Sequence, residues 1–183
     1  MKVTRTAIDG VLILEPRVFG DERGFFLESY NQREFDEAVG EPVRFVQDNR
    51  SRSGRGVLRG LHYQVAPHAQ GKLVHVTQGA VFDVAVDIRK NSPTFGRWVG
   101  VELTEQNHRH VWLSPGMAHG FLVISESADF LYKTTDYYAM QAEGAVRWDD
   151  PQIGIAWPEI GGAPKLSPKD AAAPMLSDRR CFE

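Results

Sequence analysis

The chain has 183 residues, of which 42% are hydrophobic and 25% charged, and this is enough apolar material for one domain over residues 1–183. The composition excludes a disordered chain, and a formal net charge of −3 argues against binding a long nucleic-acid backbone. The early apolar stretch Val11 to Leu14 is too short for a signal-peptide core or a membrane span, so it is predicted to be a strand. Because the single cysteine, Cys181, cannot form an internal disulfide, we expect a cytoplasmic protein.

Most of the chain is predicted to form short strands, rich in β-branched and aromatic residues and separated by turn residues. The further strands are Phe25–Tyr30, Phe45–Gln47, Val57–Tyr63, Leu73–Thr77, Val81–Asp87, Trp98–Leu103, Val111–Leu113, Phe121–Ile124 and Phe130–Thr134. One helix is predicted at Gln32–Val39, capped by Asn31 and ended by Gly40, and a second, short one near Ser167. The segment after Gly161, rich in Ala and Pro, is expected to wrap the surface. Many short strands at near-regular spacing predict an all-β sandwich or jelly roll.

A basic stretch precedes the strand that carries the most informative side chains. Arg59 and His62 are three residues apart on this strand, so on an ideal strand they would face opposite ways. A bulge or twist at Gly60 could direct both into one cavity. The alternative interpretation is a solvated basic loop, with a turn at Ser53-Gly54, followed by an ordinary core strand.

Glycine and histidine spacings resemble the two motifs that build the metal site of cupin barrels. Gly56 is followed after five residues by His62, and His119 ends a Gly-x-x-His. However, Gln64 stands where the first motif has its second histidine, and Lys72 stands where it has its glutamate. An ammonium group has no lone pair to donate, and two histidines are fewer ligands than a typical catalytic metal site needs. We therefore expect a cupin-type jelly-roll barrel, with one or two short helices, that uses no metal and no cofactor.

A histidine and a lysine inside such a barrel point to proton transfer. Removing a proton next to a ketone creates an enolate, which needs a base and a positive charge near the developing oxyanion. His62 could act as the base, and Lys72 or Arg59 could supply the charge. Inversion of the carbon also needs a second group, such as a tyrosine, that returns a proton on the opposite face.

Seven segments of the chain, in order, resemble the signature of the dTDP-4-dehydrorhamnose 3,5-epimerase family. They are Asp21-x-Arg23-Gly24-x-Phe26, the segment Gly56–Gln64, Gln70–Val74, Pro115–Phe121, Tyr132-Lys133, Glu143-x-x-Val146-x-Trp148-x-Asp150-Pro151 and Leu166-Ser167-x-Lys169-Asp170. The resemblance implies epimerisation at C3 and C5 of dTDP-4-dehydro-6-deoxy-D-glucose, which gives dTDP-4-dehydro-L-rhamnose. It also implies a homodimer that needs no cofactor and binds the nucleotide sugar as its substrate.

The same resemblance implies residue roles. His62 is the base, oriented by Asp170, Tyr132 is the acid on the other face of the sugar ring, and Lys72 steadies the enolate. Arginines are implied to hold the diphosphate, and aromatic side chains to stack on the thymine. The substrate-binding residues implied are Arg23, Arg59, Glu28, Gln47, Asn49, His119, Glu143, Lys169, Phe19, Phe26 and Tyr138.

Simpler interpretations stand beside these roles. By pattern alone Tyr132, Phe19 and Phe26 are core residues, and Asp170 is a first-turn acid of the short helix. Three other functions are open: a metal-dependent cupin, a non-catalytic sugar-nucleotide binding protein, and a one-carbon epimerase or ketoisomerase of the same fold.

Overall fold

The computed structural model describes residues 1–178, so Cys181 lies outside the described residues. The strands are β1 (Lys2–Arg5), β2 (Val11–Glu15), β3 (Val18–Asp21), β4 (Gly24–Leu27), β5 (Gln47–Gly54), β6 (Leu58–Gln64), β7 (Lys72–Gln78), β8 (Ala80–Asp87), β9 (Trp98–Thr104), β10 (His110–Leu113), β11 (Met117–Val123), β12 (Ser127–Thr134) and β13 (Glu143–Ala145). The α-helices are α1 (Gln32–Val39) and α2 (Pro168–Ala171), and short 3₁₀ turns lie at Met140–Ala142 and Leu176–Asp178.

Two antiparallel sheets face each other. One has six strands in the order β1-β2-β10-β7-β12-β5, and the other has five in the order β13-β6-β11-β8-β9. Valine, leucine and phenylalanine side chains from both sheets fill the space between them, among them Val74, Leu113, Val123 and Phe130. Burial of this apolar surface is the main force that holds the sheets together. The arrangement is the all-β jelly roll that the sequence predicts.

Helix α1 has the bounds that its end signals predict. The Asn31 side chain accepts hydrogen bonds from the backbone N–H groups of Arg33 and Glu34, at 3.2 and 3.3 Å. Gly40 ends the helix with φ of 93°, a left-handed conformation that favours glycine. Phe35 packs edge-on against Trp112, which fixes the helix on the outer face of the six-stranded sheet.

Strand β5 corrects two sequence predictions. The predicted strand Phe45–Gln47 and the predicted basic loop are both wrong, because Gln47–Gly54 is a continuous strand paired with β12 along its whole length. The sequence pattern did not predict this strand because of its charged side chains. Arg50 and Arg52 both form ion pairs with Asp129 on the neighbouring strand. A strand can carry such residues when one of its faces is exposed.

The hairpin β3–β4 lies outside both large sheets. The predicted strand Phe25–Tyr30 ends at Leu27, and its partner β3 was not predicted. The core interpretation of Phe19 and Phe26 is wrong, because their side chains are 50% and 67% exposed. Strands β1 and β13, which are short, were also missed.

The chain beyond β13 covers the outer face of the five-stranded sheet. Ile153 and Leu176 pack there with Leu61 of β6 and Val84 of β8. A parallel bridge between Val57 and Lys165 then brings α2 beside β6. Within residues 1–178, none of the helices has the length and apolarity needed to cross a membrane.

Candidate active site

A cavity of about 620 Å³ opens between the two sheets and is closed on one side by the segment that leads into α2. Most of the predicted site residues line it: His62, Tyr132, Asp170, Lys72, Arg59, Asn49, His119, Glu143, Lys169 and Tyr138. They come from both sheets and from the C-terminal segment, so the fold, and not local sequence, brings them together.

An irregularity in β6 places Arg59 and His62 in the same cavity. His119 of β11 pairs with His62 and Phe121 with Arg59, so two steps on β11 oppose three steps on β6. This extra residue is the bulge predicted at Gly60. A side chain at Gly60 would bring its Cβ within 2.5 Å of the Gly120 Cα atom, which only glycine avoids.

The imidazole of His62 is held by a carboxylate. Its Nε2 lies 2.6 Å from Oδ1 of Asp170, and Ser167 donates a hydrogen bond of 2.8 Å to the other carboxylate oxygen. Burial raises the pKa of Asp170, but the hydrogen bonds from His62 and Ser167 outweigh burial and the net pKa is lowered. Asp170 is therefore an anion at neutral pH, placed to stabilise a positive charge on the ring.

Lys72 crosses the cavity between the sheets. It belongs to the six-stranded sheet, is buried, and its amine donates a 3.3 Å hydrogen bond to the backbone oxygen of His62 in the other sheet. Burial lowers the pKa of this amine to about 8, against the opposing effect of Asp83 and Glu143. At neutral pH the cavity thus contains a cation with little solvation of its own.

Tyr132 and His62 lie on opposite walls. Tyr132 belongs to β12 of the six-stranded sheet and His62 to β6 of the five-stranded sheet. Burial raises the pKa of the Tyr132 phenol, and the nearby Arg59 guanidinium offsets this in part. The phenol is therefore protonated at neutral pH, and a molecule bound between the walls would have an imidazole on one side and a phenol on the other.

His119 forms a second histidine–carboxylate pair. Its Nε2 lies 2.7 Å from Oδ1 of Asp83, and both residues are buried. The sequence analysis did not single out Asp83. A lone carboxylate in the apolar run of β8 was the available signal, because a buried charge needs a partner.

A polar cluster borders the cavity near β13. The Tyr138 hydroxyl donates a 2.9 Å hydrogen bond to Oε2 of Glu143, and the Lys169 amine lies 2.5 Å from the same oxygen. Burial raises the pKa of Glu143, but Lys169 and Tyr138 outweigh it and the net pKa is lowered. Glu143 is consequently an anion, and its Oε2 atom already has Tyr138 and Lys169 as partners.

Asn49 and Arg59 offer groups that the protein itself does not use. The Nδ2 atom of Asn49 is buried and has no hydrogen-bond partner among the described residues, while its Oδ1 accepts a bond from Gln47. Buried polar atoms are normally paired, so this one points to a ligand. Arg59 is tethered through Nε to Ser53 at 3.1 Å and forms no ion pair with any residue of 1–178.

The remaining predicted site residues are not in this cavity. Gln47 lies next to it, bonded to Asn49 and to the backbone N–H of Tyr138. Four others belong to the hairpin or follow it and line separate, smaller pockets: Phe19, Arg23, Phe26 and Glu28. Within one chain, the structure does not bring these four together with His62.

Comparison with known proteins gives a consistent match along the chain. The model of the dTDP-4-dehydrorhamnose 3,5-epimerase family matches residues 5–178. The dTDP-4-dehydrorhamnose 3,5-epimerase of Pseudomonas aeruginosa is 60% identical over 182 residues, which cover 100% of this chain and 99% of that one. The dTDP-4-dehydrorhamnose 3-epimerase of Streptomyces niveus is 42% identical over 180 residues, 98% of this chain and 86% of the relative.

Solved structures show the same fold. The crystal structure of dTDP-6-deoxy-D-glucose-3,5-epimerase from Legionella pneumophila Philadelphia 1, in complex with dTDP-4-keto-L-rhamnose, matches with a TM-score of 0.93 and 55% identity. The match covers 97% of this chain and 93% of that one.

Proposed function

The chain belongs to the dTDP-4-dehydrorhamnose 3,5-epimerase family, and from this premise we propose how its side chains perform the reaction. The enzyme epimerises C3 and C5 of dTDP-4-dehydro-6-deoxy-D-glucose, and the product is dTDP-4-dehydro-L-rhamnose. The proposal rests on one observation. The His62–Asp170 pair, with 2.6 Å between Nε2 and Oδ1, lies across the cavity from Tyr132. Epimerisation needs a proton acceptor and a proton donor on opposite faces of one ring, and this arrangement supplies both.

The first half of each inversion is enolisation. His62 removes the proton from the carbon next to the ketone, and the electron pair of that C–H bond moves onto the C4 oxygen. Asp170 stabilises the imidazolium that forms, and the Lys72 ammonium stabilises the enolate oxygen in a cavity where little water competes.

The second half returns a proton to the other face. The Tyr132 hydroxyl donates its proton to the enolate carbon, and the ketone reforms. Solvent then reprotonates the tyrosinate and removes the proton from His62, so no redox step and no cofactor is required. Repetition at the second carbon gives the doubly inverted product.

Substrate recognition is proposed to use polar and charged groups that face the cavity, including two that have unused hydrogen-bonding atoms among residues 1–178. Arg59 has its terminal guanidinium nitrogens available for a phosphate oxygen, where the planar fork binds well. The unpaired Nδ2 of Asn49 donates to the ligand, and Gln47 holds that amide in place. His119, Glu143 and Lys169 line the same cavity and complete the contacts with the sugar and the nucleotide.

The hairpin supports a homodimer. Phe19 and Phe26 are exposed, and the Arg23 guanidinium is paired only with Asp21 of its own turn among residues 1–178. Exposed aromatic side chains next to an available cation are typical of interfaces. We infer that the hairpin of each subunit completes the cavity of its partner with Phe19, Arg23, Phe26 and Glu28.

Mixed dimers test this inference. A dimer of one Arg23→Ala subunit and one His62→Asn subunit has one intact site if the hairpin acts in trans, so it should recover about half of the wild-type activity. If the hairpin acts on its own subunit, each site carries one defect and the mixed dimer stays as poor as the two parents.

Heavy water separates the proposed reaction from its nearest rival. Incubation with the 4-keto sugar nucleotide in D₂O, followed by NMR, should show deuterium at both C3 and C5. Exchange at C3 alone would instead make the chain a one-carbon epimerase, which is the second candidate because the chain is also 42% identical to the Streptomyces niveus 3-epimerase.

The reaction is proposed to be metal-free and to occur in the cytoplasm. Gln64 occupies a cupin ligand position, but its side-chain oxygen already accepts the backbone N–H of Ala139 at 2.8 Å. Lys72 occupies another with a group that cannot bind a cation. Exhaustive chelation should leave turnover unchanged, and activity that a divalent metal restores after chelation would contradict the proposal.

A further inference from the structure

Gln64 is the last residue of β6 and follows His62 by two positions, yet no proton-transfer step uses it. Its side chain is buried, with 4% of the residue exposed. The amide makes three hydrogen bonds: Nε2 donates to the backbone oxygens of His68, at 2.7 Å, and Tyr137, at 3.2 Å, and Oε1 accepts from the N–H of Ala139. All three bonds go to backbone groups of two segments beside the cavity, residues 65–71 and 135–142.

These bonds surround Tyr138. The residue before it and the residue after it are both held by the Gln64 amide, and its own N–H donates to Oε1 of Gln47 at 3.2 Å. Three successive backbone positions are thus fixed by two glutamine side chains. Tyr138 as a whole residue remains 54% exposed and lines the cavity, where its ring is a surface on which a planar base can stack.

The two segments also contact each other directly. The ring of His68 lies 3.1 Å from the carboxylate of Asp136, and Gln70 donates to the backbone oxygen of the same residue at 2.8 Å. Both contacts are partly buried, like the two bonds that Gln64 donates, whereas the bond from Ala139 to Gln64 is buried and therefore costs more to break. In the sheet, Gln64 pairs with Glu143, so it also fixes the strand that carries the partner of the Tyr138 hydroxyl.

We propose that Gln64 is a positioning residue that holds Tyr138 at the rim of the cavity and so sets the affinity for the nucleotide part of the substrate, leaving proton transfer at His62 unaffected. The inference rests on the proposed function, in which Tyr138 contacts the nucleotide. In this proposal Gln64, which stands at the position of a cupin metal ligand, shapes the rim of the substrate-binding cavity.

Gln64→Glu is the test variant, because it keeps the shape of the side chain and the acceptor for Ala139. The two donated bonds are lost, and a carboxylate oxygen then faces the backbone oxygens of His68 and Tyr137. Calorimetry with dTDP should show binding weakened about tenfold, the loss of one to two partly buried hydrogen bonds. KM should rise with it, while kcat and the rate of deuterium exchange at saturation stay within about twofold of wild type. Gln152→Glu, with the same charge change at an exposed site, should leave all of these values unchanged.

A double-mutant cycle shows whether the effect passes through Tyr138. Tyr138→Ala should weaken dTDP binding by itself, and Gln64→Glu should add little in that background. Full additivity of the two losses, or a fall in kcat as large as the rise in KM, overturns the inference. If Tyr138→Ala leaves dTDP binding unchanged, the proposed contact of Tyr138 with the nucleotide fails, and this outcome is distinct from the other two.

Gln64→Met is a second variant that tests the same role if Gln64→Glu has a folding defect. It removes all three bonds at similar volume and adds no charge. If Gln64→Glu does not fold, Gln64→Met should show the same split between KM and kcat at an unchanged dimer content. A folded Gln64→Met variant with wild-type dTDP affinity would refute the positioning role.

Discussion

The cavity and the hairpin β3–β4 differ in how completely one chain determines them. In the cavity, the histidine and the buried lysine both have a partner in the same chain: His62 is held by Asp170, and Lys72 by the backbone oxygen of His62. In the hairpin, Phe25 and Phe26 are more than half exposed, and the hairpin joins neither large sheet. This contrast supports the proposal that one subunit assembles the proton-transfer groups, whereas the hairpin of a second subunit takes part in substrate recognition.

The largest expected effect is the loss of the base. His62→Asn keeps hydrogen bonding but cannot accept a proton at neutral pH, so turnover should fall by about 10⁴-fold or to background. Deuterium exchange at both C3 and C5 should disappear with it. Wild-type exchange in this variant would mean that the cavity is not where protons are removed.

Tyr132→Phe sharpens the comparison between the two walls. Only the hydroxyl is removed, so His62 should still abstract protons while delivery to the opposite face fails. Turnover should drop by about 10²–10³-fold. NMR in D₂O should still detect exchange without inversion, and a complete loss of exchange would place the base function on Tyr132 instead.

Asp170→Asn tests the histidine–carboxylate pair. The ring of His62 loses its anionic partner and its orientation, so we expect kcat to fall by about 10²-fold, less than in His62→Asn. KM should stay near wild type, because Asp170 acts on the histidine. Steady-state kinetics alongside deuterium exchange checks this, and equal losses in kcat and in substrate affinity would point to a structural role.

Arg59→Ala should act on binding and not on chemistry. Charge-assisted bonds to phosphate contribute about 1.5–3 kcal/mol, so dTDP affinity should fall tenfold or more. Arg52 is unsuitable as the control, because the structure pairs it with Asp129. Arg55→Ala is the better one, since Arg55 is exposed and its guanidinium donates to the backbone oxygen of Ile124. Equal effects of both changes would place the diphosphate elsewhere.

The smallest effect on activity is expected for a change at His75 or His110, which lie beneath the hairpin. Their rings stack with 4.3 Å between the centroids. Burial lowers the pKa of His75 to about 4 and that of His110 to about 3. Because both pKa values lie below the unfolded value of 6.5, the unfolded chain binds more protons below pH 6.5, and stability is lost as pH falls from there toward 4. Between pH 6.5 and 5 this amounts to about 2 kcal/mol for each histidine.

Urea unfolding at pH 7 and pH 5 measures this loss. His75→Gln should unfold with a smaller difference between the two pH values than wild type, and its turnover at pH 7 should be unchanged. An identical pH dependence in both proteins would show that these histidines titrate normally in the folded state.

Local signals predicted the elements that depend on local chemistry. Helix α1 began and ended where Asn31 and Gly40 indicate, and the glycine at position 60 marked the bulge that joins Arg59 and His62 in one cavity. Strand β5 was missed, because its two ion pairs involve a residue 77 and 79 positions away along the chain. A sequence pattern contains no record of such a partner.

The hairpin was misjudged for a related reason. Aromatic residues such as Phe19 and Phe26 indicate burial, but the pattern does not say whether the contact is made by the same chain or by another. The supporting residues Ser167 and Asp83 were missed because their importance depends on distances to Asp170 and His119, which only the folded chain defines.

The extra residue in β6 also sets the distance between Arg59 and His62. Arg59 and His62 enter one cavity from a single strand, and the bulge packs three steps of β6 against two steps of β11, so their backbone positions lie about 7 Å apart along the sheet. Because both residues belong to one strand, the spacing between the proposed phosphate anchor and the proposed base is set by the backbone of the sheet and not by a loop.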